Sequence, residues 1–423
     1  MEKRRIMLMP GVYFTHLHTE KFRTNCLSIS LLRPLDKKEA ALNALLPDVL
    51  LRGCQMCPDM GAISAWLDQR YGAGIQATVR KRGEVQAIGF FMDYIDEKFA
   101  DPSENITEDI CKLLGSFLLE PVLEDGAFRK DYVDGEKVNL INAIMAQIND
   151  KRSYAAIRLR QEMFKNEAYG VDKNGTRDQV EAITPESLYR HYKTILASSR
   201  IEIIFAGRAD VETLEANLRQ ALSTLPRGVL DKTETLPGPM PEAVRELSEE
   251  MDIAQGNLVM GFRTGITSKN PEYPAMLLLN GIFGGSLNSK LFLNVREKLS
   301  LCYYASSGLD RFKGIMLVSS GVDTENYETA KCEILHQLED CRIGNITPEE
   351  LEATRSYLCT SLKSSGDSLG RMEDFCLSQE IGGFTYTPEG LADKLMRVTL
   401  EQVQQAAQDC RLDTIFFLKG ATS

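Results

Sequence analysis

The residues that could do chemistry in this chain are few and scattered. It has four histidines, His16, His18, His191 and His336. None stands with a Ser and an Asp, or with a Cys, in a pattern that suggests a nucleophile and its base. His16 and His18 lie two apart, which on a strand puts both on one face. Two imidazoles can share a metal ion, but a site needs further ligands and none is close in sequence. A polar strand face is the simpler account. Cys54 and Cys57 form one C-x-x-C among ten cysteines. Such a pair can bind zinc or cycle between dithiol and disulfide, yet a second pair in metal spacing is missing and coincidence is simpler. Gly284-Gly285-Ser286 precedes a helical stretch and suggests a phosphate loop. The Lys-Ser/Thr ending of that motif is absent, so Ser286 is expected to cap the helix instead.

These residues hang on short strands and amphipathic helices. Leu42, Leu45, Leu46, Val49 and Leu50 recur at i, i+3, i+4, i+7 and i+8, the apolar stripe of a core helix. Asp36 precedes that run and Gly53 ends it, as helix boundary signals do. VYFTHLH at 12–18 and residues 26–32 read as strands, and residues 75–80 and 85–93 as a hairpin turning at Gly83. Helices are expected at 62–71, 108–118, 131–167 and 210–225, with one more starting at Thr184-Pro185-Glu186 and a buried strand at 201–207.

Residues 226–241 hold four prolines and little periodicity, the composition of a linker. Beyond it the chain repeats itself. Residues 398–420 match 183–207 in order and kind: a Thr-capped helix, a basic turn, a hydrophobic strand and a closing Gly. Residues 303–323 parallel 71–93 as Tyr, strand, Gly turn, strand. Two matches at a similar offset point to duplication. The expected fold class is α+β: two homologous domains, each an antiparallel sheet packed against helices. The expected boundaries are 1–226 and 248–423, joined by a linker at 227–247.

A hydrophobic content of 43% with 26% charged residues fits a globular chain of more than one core. A net charge of −11 argues against nucleic acid and anionic membrane as partners and suits a basic peptide or protein face. No apolar run approaches the roughly 20 residues of a membrane span. The basic opening MEKRR lacks the apolar stretch and cleavage site of a secretory signal. Scattered cysteines are expected to be reduced, and the localisation cytoplasmic.

The stretch ALLPDVLLRGC at 44–54 resembles the zinc-binding helix of the insulinase/pitrilysin peptidases, whose motif reads H-x-x-E-H with a Gly five residues later. Anchored on Gly53, the two His positions fall on Ala44 and Asp48 and the general-base Glu on Pro47. The family's third ligand, a Glu in E-K-x-x-I-x-x-E-I, falls on Ala143 within EKVNLINAI. A second family signature is kept. KLFLNVREKLSLCYYASSGL at 290–309 resembles a helix ending in R-E-K, a short turn and a Tyr opening a strand, with Arg296 and Tyr303 at the family's Arg and Tyr positions. Tyr304 is one residue away, so a shift by one stays open. TEKFRTN at 19–25 and LDQRYGA at 67–73 are similar to the non-catalytic bacterial members.

The resemblance implies a fold of the insulinase and mitochondrial-processing-peptidase kind, inactive alone, with no metal ligands, no catalytic residue and no cofactor in this chain. It implies a partner subunit that retains the zinc motif and brings the zinc. In that reading this chain contributes Arg296 and Tyr303, whose donors hold a peptide substrate. Two alternatives stay beside it: an inactive scaffold that binds peptides or proteins, and an independent enzyme using Cys57 or His16.

Overall fold

Two sheets organise the chain, and both are wound the same way. The computed structural model describes residues 2–420. The chain begins with β1 (Glu2–Met9), β2 (Val12–His18), β3 (Thr24–Pro34), α1 (Ala40–Leu50), α2 (Met60–Asp68), β4 (Gly74–Arg82), β5 (Val85–Ile95) and α3 (Ile106–Leu119). A two-residue pair, β6 (Leu123–Glu124) and β7 (Ala127–Phe128), leads into α4 (Lys130–Ala146) and α5 (Lys151–Met163). Next come α6 (Arg177–Glu181), α7 (Pro185–Ser198), β8 (Arg200–Gly207), α8 (Val211–Ala221), β9 (Arg245–Met251), β10 (Gly256–Arg263) and α9 (Tyr273–Asn280). The chain closes with β11 (Tyr304–Asp310), β12 (Ile315–Val322), α10 (Tyr327–Ile343), α11 (Pro348–Lys363), α12 (Leu369–Gly382), α13 (Pro388–Arg397), α14 (Leu400–Asp409) and β13 (Arg411–Gly420).

The first sheet runs β1-β2-β8-β3-β5-β4 and the second β11-β12-β10-β13-β9. Starting from the hairpin edge, β4-β5-β3-β8-β2 and β11-β12-β10-β13-β9 are one topology used twice. In both, among the described residues, the last pair is parallel and the others antiparallel, β8 with β2 and β13 with β9 being the parallel ones. Local chemistry repeats as well. Thr184 and Thr399 each cap a helix within a full capping box, which satisfies two otherwise orphaned backbone donors. Gly83 and Gly314 turn the two hairpins at φ 61° and 67°, a conformation that costs little only for glycine.

By its internal contacts the chain falls into two units. One comprises Met1–Met145, Val171–Glu234 and Gly366–Ile381; the other comprises Ala146–Gly170, Thr235–Ser365 and Gly382–Ser423. In the first, Leu45, Val49, Phe117, Leu188 and Leu214 of the helices pack on Ile29 and Phe90 of the sheet. The sheet's other face, with Leu17, Leu32 and Ile204, is covered by Leu369, Met372 and Leu377 of α12. The second unit mirrors this: α9, α10 and α14 supply one core, while Ala155 and Leu159 of α5 cover Val259, Phe416 and Leu418 on the other face. Both sheets are buried on two sides, so their central strands read as continuous apolar runs rather than alternating ones. Each second cover is one helix taken from the far half of the sequence.

One sequence expectation needs correction here. The single helix expected over 131–167 is two, broken where the Asp150 carboxylate takes the Ser153 N–H at 3.1 Å and its hydroxyl at 2.6 Å, an N-cap that restarts the helix as α5. The basic opening forms β1, paired with β2 at the sheet edge, where charged side chains discourage further strand pairing. Residues 226–231 are tied to the first unit: Arg227 donates to the Leu196 and Ser199 carbonyls at 2.7 and 2.6 Å, and the Asp231 N–H to Ser198 O at 2.8 Å.

Candidate functional site

On α1 the apolar stripe faces the core, and both Ala44 and Pro47 are buried with it. The helix is pinned from below by a closed polar network. Asn43 donates to Gln86 Oε1 at 3.0 Å and bonds His191 Nε2 at 2.7 Å, and Gln86 donates to the Ala40 carbonyl at 3.1 Å. Burial pushes the His191 pKa down to about 4. Gly53 ends the segment because a Cβ there would lie 2.4 Å from the Pro58 carbonyl oxygen.

Asp48 points out of this helix toward solvent. The protein crowded around it, and then the Glu136 carboxylate of α4, push its pKa up to about 6. Glu136 itself pairs with Arg52 at 3.0 Å. Ala143 is exposed two helical turns further along α4. The donor set here is therefore two carboxylates and no imidazole. Among the described residues no group of three or more His, Cys, Asp or Glu side chains is placed to hold a metal ion. A catalytic zinc needs about three protein ligands and an open position, so these residues do not fit one.

The other candidate segment lies in the second unit. After α9 the chain forms a π-helical stretch, Gly281–Gly285, and a second one, Leu291–Lys298. Such wide turns are uncommon and concentrate at functional sites. Ser286 does not cap the second stretch, contrary to the sequence expectation. Its hydroxyl bonds back to the Gly281 carbonyl at 3.1 Å, and the Ser289 hydroxyl instead accepts the Phe292 N–H at 3.4 Å.

Arg296 sits in the last turn of the second stretch. Its guanidinium lies over the Phe292 ring at 4.6 Å and reaches Glu297 only at 3.5 Å, leaving the side chain 40% exposed. The chain then turns through Ser300 at φ 51°, strained for a residue with a side chain. Tyr303 follows, joined to β12 by its N–H on the Gly321 carbonyl at 2.9 Å. Tyr303 is 64% exposed, and its hydroxyl has no partner among the described residues. Tyr304 is different: its hydroxyl donates to Asn257 Oδ1 at 2.8 Å, Arg152 stacks on its ring at 4.2 Å, and burial pushes its pKa up to about 12. Of the two adjacent tyrosines, only Tyr303 presents a free donor. Arg296 and Tyr303 thus flank one turn, each open to solvent and neither bonded to the other.

The remaining sequence candidates are not assembled into sites. His16 is buried, stacked on Phe205 at 5.2 Å, with His18 at 6.0 Å, and burial lowers its pKa. Cys54 and Cys57 are free thiols in a tight turn whose backbones exchange two hydrogen bonds, 2.8 and 3.1 Å. Burial raises the Cys57 pKa, which keeps it a thiol and a poor nucleophile. Sequence reasoning missed the network under α1 and the Arg152 stack. Both join residues far apart in sequence, and neither carries a motif.

A family model described as the peptidase M16 inactive domain matches residues 182–358. The probable inactive metalloprotease YmfF of Bacillus subtilis strain 168 is 34% identical over 404 residues, 95% of this chain and 94% of that protein. A conserved protein from Enterococcus faecalis V583 has a similar structure, with a TM-score of 0.93 at 28% identity, covering 100% of this chain and 99% of that one. The M16 inactive-domain structure from Pseudomonas fluorescens aligns at a TM-score of 0.82 over 100% of this chain and 99% of its own length, with 17% identity, a likeness of fold alone.

Proposed function

The chain belongs to the M16 peptidase family, the insulinase/pitrilysin group, as an inactive YmfF-like member with the family's two-domain α+β fold, and from that premise we propose that it is the substrate-positioning subunit of a two-chain zinc peptidase acting on peptides. The observation that carries this is an asymmetry. The positions on α1 and α4 that resemble the family's ligand positions hold Ala44, Asp48 and Ala143, which cannot make a zinc site. The Arg296 and Tyr303 side chains, at the positions that resemble the family's Arg and Tyr, are exposed. Had the chain drifted into a pure scaffold, neither a free phenol nor a loosely paired guanidinium beside it would be required.

A guanidinium and a phenol both donate to peptide carbonyls without a change of ionisation. Held on one turn, they fix the substrate backbone where a metal site can attack it, and positioning alone supplies a large share of a rate enhancement. Zinc and the general base come from a partner of the same family that keeps H-x-x-E-H. This chain contributes binding and orientation, and no step of bond cleavage runs through its own residues.

Reconstitution tests the reading. The chain is mixed with M16 partners encoded by the same genome that retain the zinc motif, and cleavage of a quenched fluorescent peptide library is followed. The expected result is negligible cleavage by either chain alone and turnover by one specific mixture, from which both chains elute together. A partner fully active alone and unaffected by this chain would overturn the proposal. A stable complex that cleaves equally well with Arg296 and Tyr303 both replaced would favour the scaffold instead.

A further inference from the structure

Against the edge strand β11, at the residue that follows Tyr303, an arginine of α5 is anchored. Arg152 is the second residue of α5 and is exposed. Its guanidinium carbon lies over the Tyr304 ring, 4.2 Å from the centroid, and Nη2 donates to Ser306 Oγ at 2.9 Å. Both anchors belong to β11, the edge of the second sheet. The neighbouring Asp150 carboxylate takes Ser153 through both oxygens, and those bonds first, with the Arg152 charge last, hold its pKa below the usual value. In a chain of net charge −11, the buried Arg33 and Arg263 are each bonded to two carboxylates. Arg152 has none within ion-pair distance among the described residues. Two residues beyond Ser306, on the same face, Gly308 leaves open space: a Cβ built there meets nothing within 4 Å.

We infer that Arg152 binds the carboxylate of an extended peptide laid along the free edge of β11, so that the site selects peptides carrying a terminal carboxylate or an acidic side chain. This rests on the substrate-positioning reading and names the substrate class of that site. A sheet edge offers unpaired N–H and C=O groups to an added strand. Residues of such a strand alternate between the two faces, so neighbouring residues of one peptide meet the Tyr303 side and the Arg152 side in turn. Ser306 engages one of the guanidinium's five N–H groups, and the fork made by the others is the arrangement that grips a carboxylate in two places. Because Tyr304 and Ser306 already hold the group still, little side-chain freedom remains to be lost on binding.

The test is fluorescence anisotropy with one labelled β-prone peptide in three forms: a free C-terminal carboxylate with no acidic side chain, the same peptide as an amide, and the amide with one internal Glu. At least one carboxylate form is expected to bind more tightly than the neutral amide, and which one does identifies the source of the charge. Arg152→Gln should weaken that form by roughly ten- to a hundredfold, the usual worth of a charge-assisted pair, and leave the neutral amide unchanged. The neutral amide also reports, within the same variant, that β11 is intact. Arg152→Lys should restore only part of the loss. Equal weakening of all three forms, or of none, would overturn the inference. Binding that depends on Tyr303 but ignores Arg152 sinks this inference alone, whereas no binding of any form by the wild-type chain sinks the substrate-positioning reading with it.

Discussion

Tyr303→Phe removes one hydroxyl and nothing else, so it isolates the role of that donor. In the active mixture it should lower turnover by roughly ten- to a hundredfold, from about 1.4 kcal/mol per factor of ten, while partner binding and melting temperature hold. Tyr304→Phe makes the contrast, since its hydroxyl is spent on Asn257 and its loss should register in stability rather than in turnover. Arg296→Lys should not restore what Arg296→Ala removes, because an ammonium lacks the planar fork. His191 yields a prediction that needs no partner. Its pKa is lowered by burial to about 4 from 6.5. Between those values the unfolded state holds the proton and the folded state does not, so stability is complete above pH 6.5 and falls as the pH drops toward 4. The loss approaches roughly 3 kcal/mol at 1.36 kcal/mol per pH unit. Urea titrations at pH 7 and pH 4.5 should show it in the wild type and show it reduced in His191→Gln, and an equal fall in both proteins would remove His191 as the cause.

Among the elements, α12 shows most clearly what a sequence can and cannot tell. Its Glu373 is 1% exposed and accepts from Ser28 at 2.8 Å and from Arg80 at 2.8 and 3.0 Å. Glu373→Ala removes both short carboxylate contacts of Arg80, leaving it, among the described residues, only Asp374 at 3.8 Å, and should cost about 3 kcal/mol, the low end for breaking a buried pair. Urea midpoints measure it, and Arg80→Met combined with Glu373→Leu should recover much of the loss. None of this was legible beforehand. The strands and Thr-capped helices of the duplicated segments could be read because their signals are local: capping residues, glycine turns, apolar runs. Ala44 and Asp48 lie on α1 and Ala143 on α4, and their correspondence to the family's ligand positions is carried by the motif resemblance. What α12 and α5 cover could not be read, because an amphipathic stripe says that a helix is buried and not against which sheet. Arg152 stayed hidden likewise, its partners Tyr304 and Ser306 lying some 150 residues away along the chain.

For the molecule as a whole, the exchange of α5 and α12 makes a prediction that the duplication alone would reverse. Two tandem copies of a domain should separate at the proline-rich stretch 226–241 into two folding pieces. Here a fragment ending at Glu234 loses α12, which leaves Leu17, Leu32 and Ile204 uncovered, and it keeps α5 with Ala155 and Leu159 facing water. Fully burying one large aliphatic side chain is worth about 1.5–3 kcal/mol, so losing Leu369, Met372 and Leu377 together removes on the order of 5–9 kcal/mol. A domain's entire stability is about 5–15 kcal/mol. The fragment 1–234 should therefore bind a hydrophobic dye and melt without a cooperative transition, and so should 235–423, which lacks α5. Produced together, the two fragments should associate and regain one sharp transition, because each then supplies the helix that the other's sheet lacks. Fusing residues 366–381 to the end of fragment 1–234 through a flexible linker should restore much of its stability in the absence of the other fragment. Cooperative melting of the unmodified fragment as a monomer, at the temperature of the intact chain, would show that the second sheet face needs no cover and that the exchanged helices serve some other end.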